Sequence, residues 1–248
     1  MKSESWTAPY VAPFFVFMLF LISVNGFFPD QHFILYPIKI SLVIGALAWY
    51  WRVLPSLTPT APLASVTIGI VGVIAWIGLD PWALKLDALI ETAYNCGVSA
   101  LHLPAWQVDI TGAAPKGRNP FLLYPPEIAW VLFAIRVAGI SLCVPVMEEL
   151  FWRGFLMRWL ISEDFTRVPL GTYVPFSFWV TTAFFAMAHG AEWPLAVIVG
   201  MLYGFWFVKT KALGNIMLAH GTTNFLLAFY CLYSRDWHFL SALAPVHK

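Results

Sequence analysis

Seven apolar runs, all but one near the length that crosses a bilayer, most constrain what this chain can fold into. A membrane helix takes about 20 mainly apolar residues. The runs fall at 9–29, 33–53, 62–80, 127–162, 173–190, 193–209 and 213–233. Proline, glycine and charge separate them, in "FFPDQH", "RVLPSLTPTAP", "SEDFTRVPLGTYVP" and "KTKALGN". Composition agrees. Of 248 residues 60% are hydrophobic and 11% charged, against about a quarter charged in a soluble domain. The expected fold class is all-α: a polytopic membrane bundle of seven or eight helices around an intramembrane polar cavity. The run at 127–162 is too long for one straight span. Pro145 inside it removes a backbone donor and crowds the preceding turn, which predicts one bent helix or two short ones.

The stretch from 81 to 125 reads differently. "WALKLDALIETAYNCGVSAL" spaces apolar residues helically with polar gaps, as an interfacial or re-entrant segment does, and "APKGRNPFLLYPPE" is a loop. One integrated membrane domain is expected, with helices and an amphipathic region at 1–125, a core at 126–234 and a short polar tail at 235–248. The first run is too long for a signal peptide and is read as a retained span. Seven basic residues fall on one side with the amino terminus placed in the cytoplasm. Six, Lys39 among them, fall on the other, with Arg136 unassigned. The net charge of +1 carries no nucleic-acid signal. Cys96, Cys143 and Cys231 are widely separated, and the last two read as small buried hydrophobes.

Ionisable groups inside spans are costly and mark function by default. Here they are Glu148 with Glu149 and Arg153, then His189, then His220 with Asn224, and a separate Arg136. Counting from one charged side puts Glu148 roughly 20 Å deep, His189 roughly 24 Å and the His220–Asn224 pair roughly 10–16 Å. Three helices can therefore bring polar groups to similar depths. His220 and Asn224 share a helix face, and Glu149 can pair with Arg153 as a purely structural ion pair. Glu148 points about 100° away from Glu149, free to meet another helix. Two carboxylates in unlike surroundings suit general-base chemistry. Arg158 and Arg167 read as interfacial anchors, and Arg136 as snorkelling or bonded to a helix carbonyl. Trp152, Phe155, Phe184 and Trp206 either line a lipid-accessible groove or serve as core and lipid-facing residues, while His32, His102, His238 and His247 receive no role.

"EELFWR" (Glu148–Arg153), "FAMAH" (Phe185–His189) and "HGTTN" (His220–Asn224) occur in that order on three apolar runs. They resemble the EExxxR, FxxxH and HxxxN motifs of the CPBP family, the intramembrane CAAX proteases and bacteriocin-processing enzymes. The likeness covers roughly 127–233, and the flanking wording is similar to a bacterial branch named CAAX prenyl protease-related. The resemblance implies a glutamate-type endopeptidase cutting near the carboxy terminus of a membrane-associated or lipidated protein, or a lipopeptide, within a bacterial plasma membrane. By motif position, Glu148 activates water with His189, His220 and Asn224 hold the oxyanion, and Glu149 with Arg153 tunes the site. No cofactor is implied. The alternatives are a zinc enzyme using Glu148, His189 and His220, and a non-enzymatic scaffold or immunity factor.

Overall fold

The structure, a computed structural model, describes residues 7–28, 31–108 and 119–240. The loop expected at 114–127 lies outside the described residues as far as 118. So do Lys2, Lys116, Arg118, His247 and Lys248. Seven long helices occupy the seven apolar runs: α1 Ala8–Phe27, α2 His32–Tyr50, α3 Pro62–Ala100, α4 Pro126–Trp159, α5 Pro175–Met187, α6 Trp193–Thr210 and α7 Leu213–Ser234. A single turn, Pro120–Leu123, precedes α4, and the described residues contain no strand. Five helices are long and apolar enough to cross a membrane. Helix α5 is apolar but shorter, and α1 is apolar over Ala8–Val24. Large side chains such as Leu19, Trp49, Leu63 and Leu142 are exposed outward, as lipid contact requires. The chain is an integral membrane protein.

Helix α7 is central, touching α3, α4 and α6. Its inner positions Ile216, Ala219, Ala228 and Cys231 are wholly buried, and one apolar core runs from Tyr10 to Leu240. Without water between helices, packing and polar contacts hold a bundle together. Thr223 Oγ1 donates to the Gly69 carbonyl at 2.8 Å, tying α7 to α3. Trp206 Nε1 donates to Ser65 Oγ at 3.1 Å, tying α6 to α3.

Three expectations are corrected. The interfacial or re-entrant segment after residue 80 is the second half of α3, which passes through Pro81 without stopping. At 39 residues it is about 58 Å long, nearly twice the hydrocarbon thickness. Asp80, Lys85 and Asp87 look like a span end in the sequence. Asp87 is instead buried and accepts from Trp193 Nε1 at 3.2 Å. Arg158 is no interfacial anchor. It is buried and donates to the carbonyls of Val168, Gly154 and Thr166 at 2.7, 2.9 and 3.2 Å, clamping the connector after α4. Arg167 is exposed and pairs with Asp164. Lys39, placed outside by the charge count, is buried in the middle of α2.

The long run at 127–162 is one continuous helix rather than two. It widens into π turns at Gly139–Cys143 and Leu150–Leu156. Pro145 follows the first of these. In a π turn its nitrogen would bond the Ile140 carbonyl five residues back, and proline has no N–H to give. The helix absorbs the proline by widening.

Beyond α7 the chain folds back, and His238 pins it. Its Nδ1 lies 2.7 Å from Asp236 Oδ1 and its Nε2 3.4 Å from Asp80 Oδ1 on α3. Burial alone lowers the imidazole pKa, but the bonds to Asp80 and Asp236 outweigh it and raise the value to about 9 from 6.5. A raised folded-state pKa stabilises most below the unfolded value. The contribution is complete below 6.5 and is lost as pH rises through about 9. The melting temperature of detergent-purified protein is therefore expected to fall between pH 7 and 9.5 (roughly the window around that pKa). His238→Gln should start lower and flatten that decline.

Candidate active site

Each motif residue arrives from its own helix. Glu148, Glu149 and Arg153 sit on α4 beside the second π turn, His189 just past the end of α5, and His220 and Asn224 on α7. Helix α5 has only 13 residues, about 20 Å, so His189 lies inside the bundle. The return is made at Gly190, whose φ of +59 suits a residue without a β-carbon.

The two adjacent glutamates have different surroundings. Glu149 is fully buried. Arg153 Nη1 lies 3.1 and 3.0 Å from its two oxygens. His220 Nδ1 lies 3.0 Å from Oε1. A carboxylate only accepts, so Nδ1 carries the proton and the Nε2 of His220 is left for other contacts. Arg153 also donates to the Gly200 carbonyl at 3.1 Å and lies 4.6 Å over the Phe185 ring. One buried chain, Arg153–Glu149–His220, thus locks α4, α6 and α7 together.

Glu148 turns the other way, into a cavity of about 190 Å³, far above the roughly 10–15 Å³ that one water needs. His189, His220 and Asn224 line the same cavity, as does Tyr203. Glu148 Oε2 is buried and has no hydrogen-bond partner among the described residues. His189 Nδ1 donates to the Phe185 carbonyl at 2.7 Å, which leaves its Nε2 lone pair available. Asn224 Nδ2 donates one hydrogen to the Ile140 carbonyl at 2.8 Å. That is the carbonyl Pro145 leaves open, so the π turn aims the amide, and its second N–H remains free. Gly221 permits the approach: a β-carbon there would collide with the Ser141 carbonyl.

All six predicted site residues therefore gather, but in two groups. Glu148, His189, His220 and Asn224 face the cavity, while Glu149 and Arg153 stand behind it. Trp152, Phe155, Phe184 and Trp206 do not line it. Its aromatic residues include Phe17, Phe20, Phe33, Trp76 and Phe185. The first three come from α1 and α2, where no motif drew attention. Tyr203 went unnoticed too. Its hydroxyl donates to Thr223 at 2.6 Å and its ring lies 5.3 Å from that of His220. No group of three His, Cys, Asp or Glu among the described residues is arranged to hold a metal ion.

Residues 129–226 match the family described as Type II CAAX prenyl endopeptidase Rce1-like. The matched segment runs from α4 to within α7 and contains every site residue named above. This part of the chain is similar to the CAAX protease family. The general activity supported is that of an intramembrane endopeptidase. No curated protein and no solved structure matches the chain.

The two glutamates are separable by experiment. Glu149→Ala strands a buried guanidinium, and breaking a buried pair costs about 3–5 kcal/mol. A matching fall in thermal stability in detergent is expected. Glu148→Gln removes a carboxylate that no cation holds, and its stability should stay within about 1 kcal/mol of wild type.

Proposed function

We propose that the protein is a glutamate-type intramembrane endopeptidase acting near the carboxy terminus of a membrane-associated or lipidated protein. The carrying observation is the Glu148 carboxylate. It faces a cavity within the bundle that His189 also lines, with one oxygen buried and without a hydrogen-bond partner among the described residues.

In the proposed reaction a water lies between Glu148 and His189 Nε2. Glu148 takes its proton as the oxygen attacks the scissile carbonyl, and later passes that proton to the leaving amine. The developing oxyanion needs fixed donors, and the free Asn224 N–H is one. His220 can supply a second from Nε2 only when its ring is protonated, because Nδ1–H is committed to Glu149. By holding Nδ1–H, the buried Glu149 carboxylate fixes the orientation of the ring, which gives Glu149 a positioning role. Apolar walls exclude bulk water and strengthen each of these interactions. The same walls, formed by Phe17, Phe20 and Phe33, suit apolar side chains or a lipid group on the substrate.

Metal-free chemistry is part of the proposal, and a zinc site of Glu148, His189 and His220 is the alternative it is tested against. Cells carrying wild-type protein should show a set of new protein carboxy termini in comparative proteomics. These should disappear with Glu148→Gln, whose cleavage rate is expected to fall at least about 100-fold. Unchanged termini in a well-folded Glu148→Gln variant would sink the mechanism. Cleavage should also survive chelator treatment. Stoichiometric zinc whose removal abolishes cleavage would instead establish the zinc alternative.

A further inference from the structure

Helix α4 presents a row of side chains to the cavity: Arg136, Ile140, Val144 and Glu148. Residues four apart drift around an α-helix, and the intervening π turn, with its extra residue, compensates that drift. The row therefore has the proposed base at one end and a guanidinium at the other.

The guanidinium end holds a second cation. Lys39 on α2 is only 5% exposed, its Nζ 4.0 Å from the Phe17 ring centroid and 4.9 Å from that of Tyr36. The Arg136 guanidinium lies 4.4 Å from the same Tyr36 ring. Arg136 donates one bond, to the Leu240 carbonyl at 2.7 Å. Its Nε and the Tyr36 hydroxyl are buried with no hydrogen-bond partner. Neither cation forms an ion pair among the described residues. Buried charges are ordinarily paired, and two like charges at one ring repel. A guanidinium cannot relieve this by losing its proton. No carboxylate lies within ion-pair distance of either cation among the described residues, and Lys39, Arg136 and Tyr36 all line the cavity that Glu148 and Glu192 also line.

We propose that Lys39, Arg136 and Tyr36 form an anion subsite that receives the free α-carboxylate of the substrate peptide. This rests on the peptidase reading and sharpens it. Glu148 lies twelve positions after Arg136, about 18 Å along the helix. An extended peptide covers about 3.3 Å per residue, and both side chains reach inward. Anchoring the carboxylate at the cations therefore sets the scissile bond about three to five residues from the terminus. A carboxylate fits better than a lipid phosphate. Headgroups lie at the membrane surface, whereas Lys39 is buried mid-helix within the bundle.

The test uses full-length protein in phosphatidylcholine nanodiscs and a pooled library of acetylated, all-apolar hexapeptides, made with carboxylate or carboxamide ends. Retention is read by affinity-selection mass spectrometry on the Glu148→Gln background, and cleavage on wild type. Carboxylate peptides should be retained at least tenfold over carboxamides. The ratio should fall to near one in Lys39→Met and Arg136→Met and persist in Lys39→Arg, which also controls for folding. Equal retention of the two forms, no retention of either, or an undiminished ratio in both Met variants overturns the subsite. A carboxylate preference without wild-type cleavage leaves the subsite standing and removes the peptidase reading. Cleavage without the preference does the reverse. If phosphatidylglycerol displaces the peptides from protein with Lys39 intact but not from Lys39→Met, the occupant is a lipid phosphate and the carboxylate assignment fails.

Discussion

The Glu149 carboxylate is the contact on which the interior depends. With no exposure to solvent it holds Arg153 from its own helix and His220 from α7, and through Arg153 it reaches the Gly200 carbonyl of α6. In a low-dielectric interior such a chain is stable only when each member is satisfied. Loss of one member would leave another charge stranded. The geometry this imposes is specific. The His220 ring is fixed with Nδ1 toward Glu149, and α4 is fixed in rotation, so that the preceding residue, Glu148, faces the cavity. A structural ion pair and a cavity-facing carboxyl are therefore two consequences of one helix orientation.

The π turns of α4 do complementary work. Proline within a long apolar helix removes a backbone donor, and the widened turn exposes the Ile140 carbonyl. Asn224 takes that carbonyl with one N–H and is thereby oriented with the other. A local fault in the helix becomes the support of a polar group on a neighbouring helix. Wide turns of this kind recur at functional sites, because a freed carbonyl in a membrane interior must find a partner. Here the partner is a site residue.

Much of the bundle was legible in the sequence because membrane helices announce themselves by length and hydropathy. All seven runs became helices. The site was legible for a related reason: Glu148, His189, His220 and Asn224 are polar where polarity is costly. What escaped reading depended on three-dimensional pairing. Arg158 looked like an anchor because its three carbonyl partners lie in a connector whose course the sequence does not reveal. Asp80, Lys85 and Asp87 looked like a span end because charge usually marks one. Asp87 is instead covered by Trp193, and α3 continues. His238 showed no pattern at all, since one of its two carboxylates lies 158 positions away. Lys39 was the avoidable miss. The cost rule that singled out Glu148 applies equally to a lysine in the middle of α2.

The division of charge within the cavity follows from the same rule. The wall nearer the motifs carries Glu148, whose carboxyl no cation holds. The wall formed by α2 and the start of α4 carries Lys39 and Arg136, neither in an ion pair among the described residues, and Glu192 lines the same cavity. Joining the two would have been a simple way to neutralise both, and the helices do not do so. Ile140 and Val144 stand between them on α4, keeping acid and base apart along an apolar floor. An extended chain with an anionic end can meet both walls at once, contributing the missing charge at one and a carbonyl at the other. On the proposed subsite reading, the cost of leaving these groups unpaired in the free protein is recovered when such a chain binds. That links the stability of the empty bundle to the selection of what enters it.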